Sequence, residues 1–141
     1  MKQANHTPPY SSIDLFHLAL TSLRSQCEEP LADHGLTVDR WRVLRLLAER
    51  GPQSMAELGV ATGISGPTLT RVVDRLVEDT LVYRNVDSAD RRRVRVHVGD
   101  RGRRLWRKLG PRLNELERSA LSALSDDETQ TLHRLLSTLA D

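Results

Sequence analysis

The sequence predicts a mainly α-helical chain with one small β-hairpin, an α+β arrangement, and three observations predict it. Apolar residues recur at the 3.6-residue helical period along most of the chain. Between Leu81 and Val98 that period drops to two. Gly51-Pro52, Gly63 and Gly99, together with two Ser-x-x-Glu capping boxes, cut the pattern into separate elements. The length of 141 residues fits one domain, and 38 % hydrophobic content supports a core. Aromatic residues make up only 4 %, so that core is expected to be rich in Leu and Val.

Residues 1–9 are polar, contain Pro8-Pro9 and read as a short mobile tail. From Ser11 to Glu28 the pattern is helical, with Ile13, Phe16, Leu20, Leu23 and Cys27 on one stripe and Leu15, Leu18 and Ala19 on the other side. A helix apolar on two sides packs against two bodies, one of which is expected to be a second subunit. Gly35 is expected to end a following short helical piece. Thr37 to Arg50 forms the next helix on Val38, Trp41, Leu44, Leu47 and Ala48, and stops at Gly51-Pro52.

Ser54 and Glu57 then form a capping box that opens a short helix, Met55 to Thr62, with Gly63 as the left-handed residue beyond its end. Ser65 is a favoured N-cap, and Pro67 fits the first turn of the helix that runs to Asp79. Its apolar stripe is Leu69, Val72, Val73, Leu76 and Val77; Thr68, Arg71, Asp74, Arg75 and Glu78 lie opposite. A short helix, a Gly-containing turn and a second helix with polar residues at its start make a helix-turn-helix pattern. Helical corners that bind nothing share it.

Leu81–Val86 and Arg93–Val98 read as strands, with Val94, Val96 and Val98 on one face and Arg93, Arg95 and His97 on the other. Asp87–Arg92 is a polar tip. A basic-tipped hairpin directly after a helix-turn-helix is a wing, and the combination is far more specific than either part. A long helix follows from Gly99 or Asp100, with Leu105, Leu109, Leu113, Leu116, Ala120 and Leu124 inward and an expected kink at Gly110-Pro111. Ser125 and Glu128 cap a last helix on Leu132, Leu135, Leu136 and Leu139. The pattern divides residues 10–141 into a winged segment, 37–99, and flanking helices, 10–36 and 100–141, expected to form a dimerisation lobe.

The net charge of +2 conceals a local excess. Arg84 to Lys108 holds ten Lys or Arg against three Asp, which points to a polyanionic partner; a solvated helix face is the plainer alternative. The single cysteine excludes an intramolecular disulfide and a Cys-based zinc site, and the five His lack ligand spacing. No metal or cofactor is expected. Without a membrane-length apolar run or a signal-peptide core, a cytoplasmic location is expected. There is no Gly-rich phosphate loop, nucleophile motif or evident carboxylate pair to suggest an enzyme.

Leu36-Thr-Val-Asp-Arg-Trp41, the Thr70-Arg71…Asp74-Arg75-Leu76 run and Asp90-Arg-Arg92 in the wing give residues 35–105 their character. In these the chain resembles the MarR (multiple antibiotic resistance regulator) family of bacterial transcription factors. The resemblance implies a homodimer joined through its terminal helices that binds pseudo-palindromic promoter DNA. It also implies a repressor that a small phenolic or aromatic ligand releases. The chain departs from the family pattern at Thr80, where Gly is common, and at Gly99, where Thr is common.

The residues at the start of a recognition helix lie nearest the base edges. Pro67, Thr68 and Arg71 are the candidates for base contact, Thr68 to a thymine methyl and Arg71 to guanine O6/N7. Ser65, Thr70 and Arg75 are candidates for phosphates, an i+3 pair with Glu78 being the competing role of Arg75. The resemblance implies that Arg92 enters the minor groove while Asp90 holds it, which suits a weakly hydrated guanidinium. Arg91 and Arg93 are expected to add phosphate contacts. His17, Trp41 and Arg45 are candidates to border a ligand space between the lobes, although Trp41 reads more readily as core. Cys27 is the one candidate for oxidant sensing, but its apolar stripe offers little to stabilise a thiolate. A winged module that binds protein, and a sequence-tolerant architectural DNA binder, are the rival readings.

Overall fold

Helix caps set most of the element boundaries in the computed structural model, which describes residues 9–140. The helices are α1 (Ser12–Ala32), α2 (Val38–Arg50), α3 (Met55–Thr62), α4 (Gly66–Glu78), α5 (Asp100–Ala120) and α6 (Asp126–Ala140). Strands β1 (Val82–Val86) and β2 (Val94–Val98) lie between α4 and α5. Apart from Pro9, the expected tail lies outside the described residues. Capping boxes open α1 (Ser11 with Asp14), α3 (Ser54 with Glu57) and α6 (Ser125 with Glu128), each satisfying two otherwise free backbone donors.

Helix α2 is the central post and packs on α1, α3, α4, α5 and β2. Its Val43, Leu44 and Leu47 are fully buried with Leu31, Leu58, Val73, Leu76 and Val96, so the core is the Leu/Val core that the composition requires. The hairpin is antiparallel, pairing Val82 with Val98 and Val86 with Val94. Gln53 forms an isolated antiparallel bridge on the far edge of β2: its N–H donates to the Val96 carbonyl (3.1 Å) and the Val96 N–H donates back (2.8 Å). This ties the wing to the chain just ahead of α3.

Two sequence expectations need correction. There is no separate short helix before Gly35, because α1 continues through Pro30 to Ala32. Burial of Pro30 and Leu31 offsets the missing proline N–H. Leu124 does not point inward; α5 ends at Ala120, so the helical period never reaches it. Helix α5 carries Gly110 and Pro111 inside one continuous helical segment.

The two departures from the family pattern meet at one place. Helix α4 ends with the Leu81 N–H on the Leu76 carbonyl and the Thr80 N–H on the Val77 carbonyl, both 2.9 Å. That closure needs a left-handed residue, and Thr80 supplies it at φ 58°. It is the one non-glycine with positive φ among the described residues. Gly99 lies alongside, where a Cβ would come within 3.4 Å of the Thr80 and Leu81 carbonyl oxygens. Gly102 lets α5 approach the same strand-entry segment, since a Cβ there would collide with the Leu81 carbonyl oxygen.

The terminal helices leave much apolar surface uncovered in the single chain. Ile13 is 79 % exposed and Leu139 70 % exposed, and Phe16, Leu18, Leu20, Leu135 and Leu136 are exposed too. No described residue of α6 is buried.

Candidate nucleic-acid interface

The turn between α3 and α4 is held by one buried polar residue. The Thr62 hydroxyl donates to the Leu58 carbonyl (2.6 Å) and accepts the Ile64 N–H (3.3 Å). Gly63, at φ 66°, turns the chain, and half-buried Ile64 packs against the core. Leu69, Val72, Val73 and Leu76 then fix α4 by its buried face.

On the open side, Ser65 occupies the N-cap position but makes no cap hydrogen bond; its hydroxyl donates to the Thr68 hydroxyl (3.1 Å). Pro67 has no N–H to satisfy, so the first turn keeps its remaining amide donors and positive dipole end facing outward. Thr70 is exposed, and its hydroxyl donates to the Gly66 carbonyl (3.0 Å). Arg71 is exposed and forms no ion pair or hydrogen bond among the described residues. Arg75 is engaged within its own helix, with Glu78 at 3.0 Å and Asp79 at 3.5 Å.

The wing stands on Arg95. Its guanidinium donates to Asp87 (3.0 Å) and to the Pro52 carbonyl (3.0 Å), and reaches Glu57 at 3.8 Å. The Ala89 N–H above all, and then Arg95, hold the Asp87 carboxyl below the usual carboxylate range. Glu57 is held low mainly by the Ser54 backbone N–H of its capping box. Across the hairpin, Arg84 meets Asp74 of α4 at 2.6 Å, and Tyr83 stacks on His97 with ring centroids 5.0 Å apart.

At the tip Asp90 holds Arg92 by its backbone and not by a side-chain pair. Asp90 accepts the Arg92 backbone N–H (3.0 Å), and its carboxylate lies 3.5 Å from the Arg93 guanidinium. A tight turn sets Arg92 by its backbone, because the i+2 amide lies closer to Asp90 than the end of a long side chain does. Arg91 and Arg92 are exposed and form no ion pair among the described residues.

A cavity of about 320 Å³ opens between α1, α2 and α5, walled by Leu20, Leu23, Cys27, Trp41 and Leu113. Arg24, Arg42 and Arg45 stand at its edge against Glu117. Trp41 and Arg45 therefore line one cavity, while His17 lies on the exposed half of α1 and takes no part in the lining. Burial first, then Glu117, pushes the Cys27 thiol up from its ordinary value. That is the direction opposite to the one thiolate reactivity needs.

A model described as MarR family matches residues 34–93. Over 122 residues the chain is 31 % identical to the HTH-type transcriptional regulator FarR of Neisseria gonorrhoeae, spanning 86 % of this chain and 84 % of that one. The chain belongs to the MarR family. Among solved structures, BpsR of Bordetella bronchiseptica, described for regulation of its DNA binding by 6-hydroxynicotinic acid, superposes with a TM-score of 0.85 at 27 % identity. The match covers 95 % of this chain and 99 % of BpsR. NadR in complex with 4-hydroxyphenylacetate superposes with a TM-score of 0.82 at 29 % identity, over 100 % and 99 % of the two chains. As a MarR-family member the protein is a DNA-binding transcriptional regulator with a winged helix, and not an enzyme. No helix of the described residues is long and apolar enough to cross a membrane.

Sequence reasoning missed the Arg95 anchor, the Arg84–Asp74 link and the Gln53 bridge. Alternation put Arg95 on the wing's polar face, but its Pro52 partner lies 43 residues away and no local signal marks it.

Proposed function

We propose that this MarR-family protein is a homodimeric repressor of pseudo-palindromic promoter DNA, released by a small aromatic acid. The observation that carries the reading is the pairing of an uncapped α4 N-terminus, with Thr68 and Arg71 exposed, and a wing whose Arg91 and Arg92 lack ion-pair partners among the described residues. Thr68 and Arg71 then read base edges, with Pro67 shaping the approach. Ser65 and the free amides of the first turn take a phosphate, as helix N-termini do. Thr70 joins them only by releasing the Gly66 carbonyl. Arg92 enters the minor groove, positioned by Asp90 through the backbone, and Arg91 and Arg93 add phosphate contacts.

Arg75 is better assigned to holding the C-terminal turn of α4 than to a phosphate, because two carboxylates already occupy it. The exposed apolar faces of α1 and α6 supply the dimer interface, since a surface of that character is costly to leave in water. A dimer also places two recognition helices on successive half-sites. Trp41 and Arg45 at the α1–α2–α5 cavity offer an aromatic wall and a cation to a phenolic or aromatic acid, the chemistry of the BpsR and NadR ligands.

Fluorescence anisotropy on DNA flanking the protein's own gene, at two salt concentrations and against scrambled DNA, tests this. Selective binding that falls steeply with salt supports a regulator that neutralises several phosphates. Salt-sensitive binding without selectivity favours the architectural role. Absence of binding at low salt refutes the reading.

A further inference from the structure

The α1–α2–α5 cavity and the helix-turn-helix share one side chain. Arg42 stands at the cavity edge, and its guanidinium donates to the carbonyl of Thr62 (2.5 Å) at the last residue of α3. Among the described residues no other donor reaches that carbonyl, one of the acceptors a helix end leaves without an intrahelical partner. The other end of the same guanidinium lies 3.5 Å from Asp39, which also accepts from Arg24 at 3.2 Å. Arg24 lines the cavity as well. Asp39 thus holds two cavity arginines in place, and one of them fastens the turn that orients α4.

We propose that Arg42 is the residue through which an aromatic carboxylate in this cavity weakens DNA binding: the ligand's carboxylate competes with Asp39 for Arg24 and Arg42, and draws Arg42 off the Thr62 carbonyl. The proposal rests on the effector reading above. The cavity edge carries three guanidinium groups and one carboxylate, Glu117, so an acid is favoured over its neutral isostere. Arg45 pairs with Glu49 at 3.4 Å, and it is Arg42, not Arg45, that donates to the Thr62 carbonyl. Once Thr62 loses its donor, Gly63 and Ile64 are freer to move, and with them the start of α4. By linkage, bound DNA weakens the acid's binding by the same factor as the acid weakens DNA binding.

The test uses the full chain, with 6-hydroxynicotinic acid, 4-hydroxyphenylacetate and their neutral amides as probes. Calorimetry reads ligand binding, and anisotropy reads DNA affinity. For the wild type, an acid should bind and lower DNA affinity by about 5- to 150-fold, the usual span of such coupling, while its amide should not. Arg42→Gln should bind DNA more weakly without ligand, and the acid's further effect should nearly vanish. Hydrogen exchange on the wild type needs no variant: the acid should speed exchange at the Gly63 and Ile64 amides. If Arg42→Gln loses DNA affinity to the acid as fully as the wild type, or those amides stay unchanged while DNA is released, the relay is wrong and the effector reading stands. If neither acid binds the wild type, the effector reading falls and takes the relay with it.

Discussion

Thr80→Gly should make the protein more stable, although it removes two hydrogen bonds. Thr80 holds φ 58°, where an L-residue pays about 1–2 kcal/mol for the clash of Cβ with its own carbonyl. Glycine avoids that cost but loses about 0.5–1 kcal/mol through its greater freedom in the unfolded chain. The hydroxyl donates to the Asp79 carbonyl (2.7 Å) and accepts from Arg101 (3.3 Å), both at the exposed surface, where water replaces them at small cost. Arg101 keeps its own bond to the Asp79 carbonyl at 3.0 Å. The net gain is about 0.5–1 kcal/mol, a rise in Tm of roughly 2–3 °C for a chain of this length. Thr80→Ala retains the Cβ, loses the hydroxyl and should fall within about 0.5 kcal/mol of wild type. Urea unfolding of the three proteins at one fixed concentration, since a dimer's stability depends on it, gives the comparison. If the Gly variant is no more stable than the Ala variant, left-handed backbone strain does not govern this turn.

Three further outcomes follow from the same geometry. Gly102→Ala should destabilise by about 3 kcal/mol, because its methyl group meets the Leu81 carbonyl oxygen and crowds Leu44; thermal unfolding against Gly110→Ala, where nothing lies near, separates contact from helix propensity. Arg95→Ala should lower DNA affinity by about tenfold, the worth of one charged hydrogen bond, and speed exchange of the wing amides while helical circular dichroism stays constant. Acid should loosen the wing: Asp87 and Glu57 have folded pKa values below their unfolded values of about 3.9 and 4.3. Their contribution is therefore complete above about pH 5 and lost as pH falls through the lower folded values. Asp87→Asn should flatten that part of the pH–stability curve, and an unchanged curve would remove Asp87 from the account.

What the sequence made legible is what one or two helical turns determine. The capping boxes at Ser54 and Ser125, the left-handed Gly63 and the buried stripe of α4 all follow from residues within four positions of one another. Even at that range, a competing local bond misled: Ser65 turns its hydroxyl to Thr68 and not to a backbone donor. Pro30 stays inside α1 because burial outweighs one lost hydrogen bond, and burial is a tertiary property. Arg95 to Pro52, Arg42 to Thr62 and Gln53 to Val96 join segments distant in the chain. Charge and alternation say that such side chains are present, but only the packing of α2 says what they reach.

The most direct test of the central claim, that the open face of α4 reads DNA, is the affinity of wild type and Arg71→Ala for the operator and a set of single-base operator variants. Arg71→Ala should lose about 1–3 kcal/mol on the intact operator, with discrimination relaxed at one position in each half-site and retained elsewhere. An Arg71→Ala protein that weakens on every sequence alike, or discriminates as the wild type does, would contradict it.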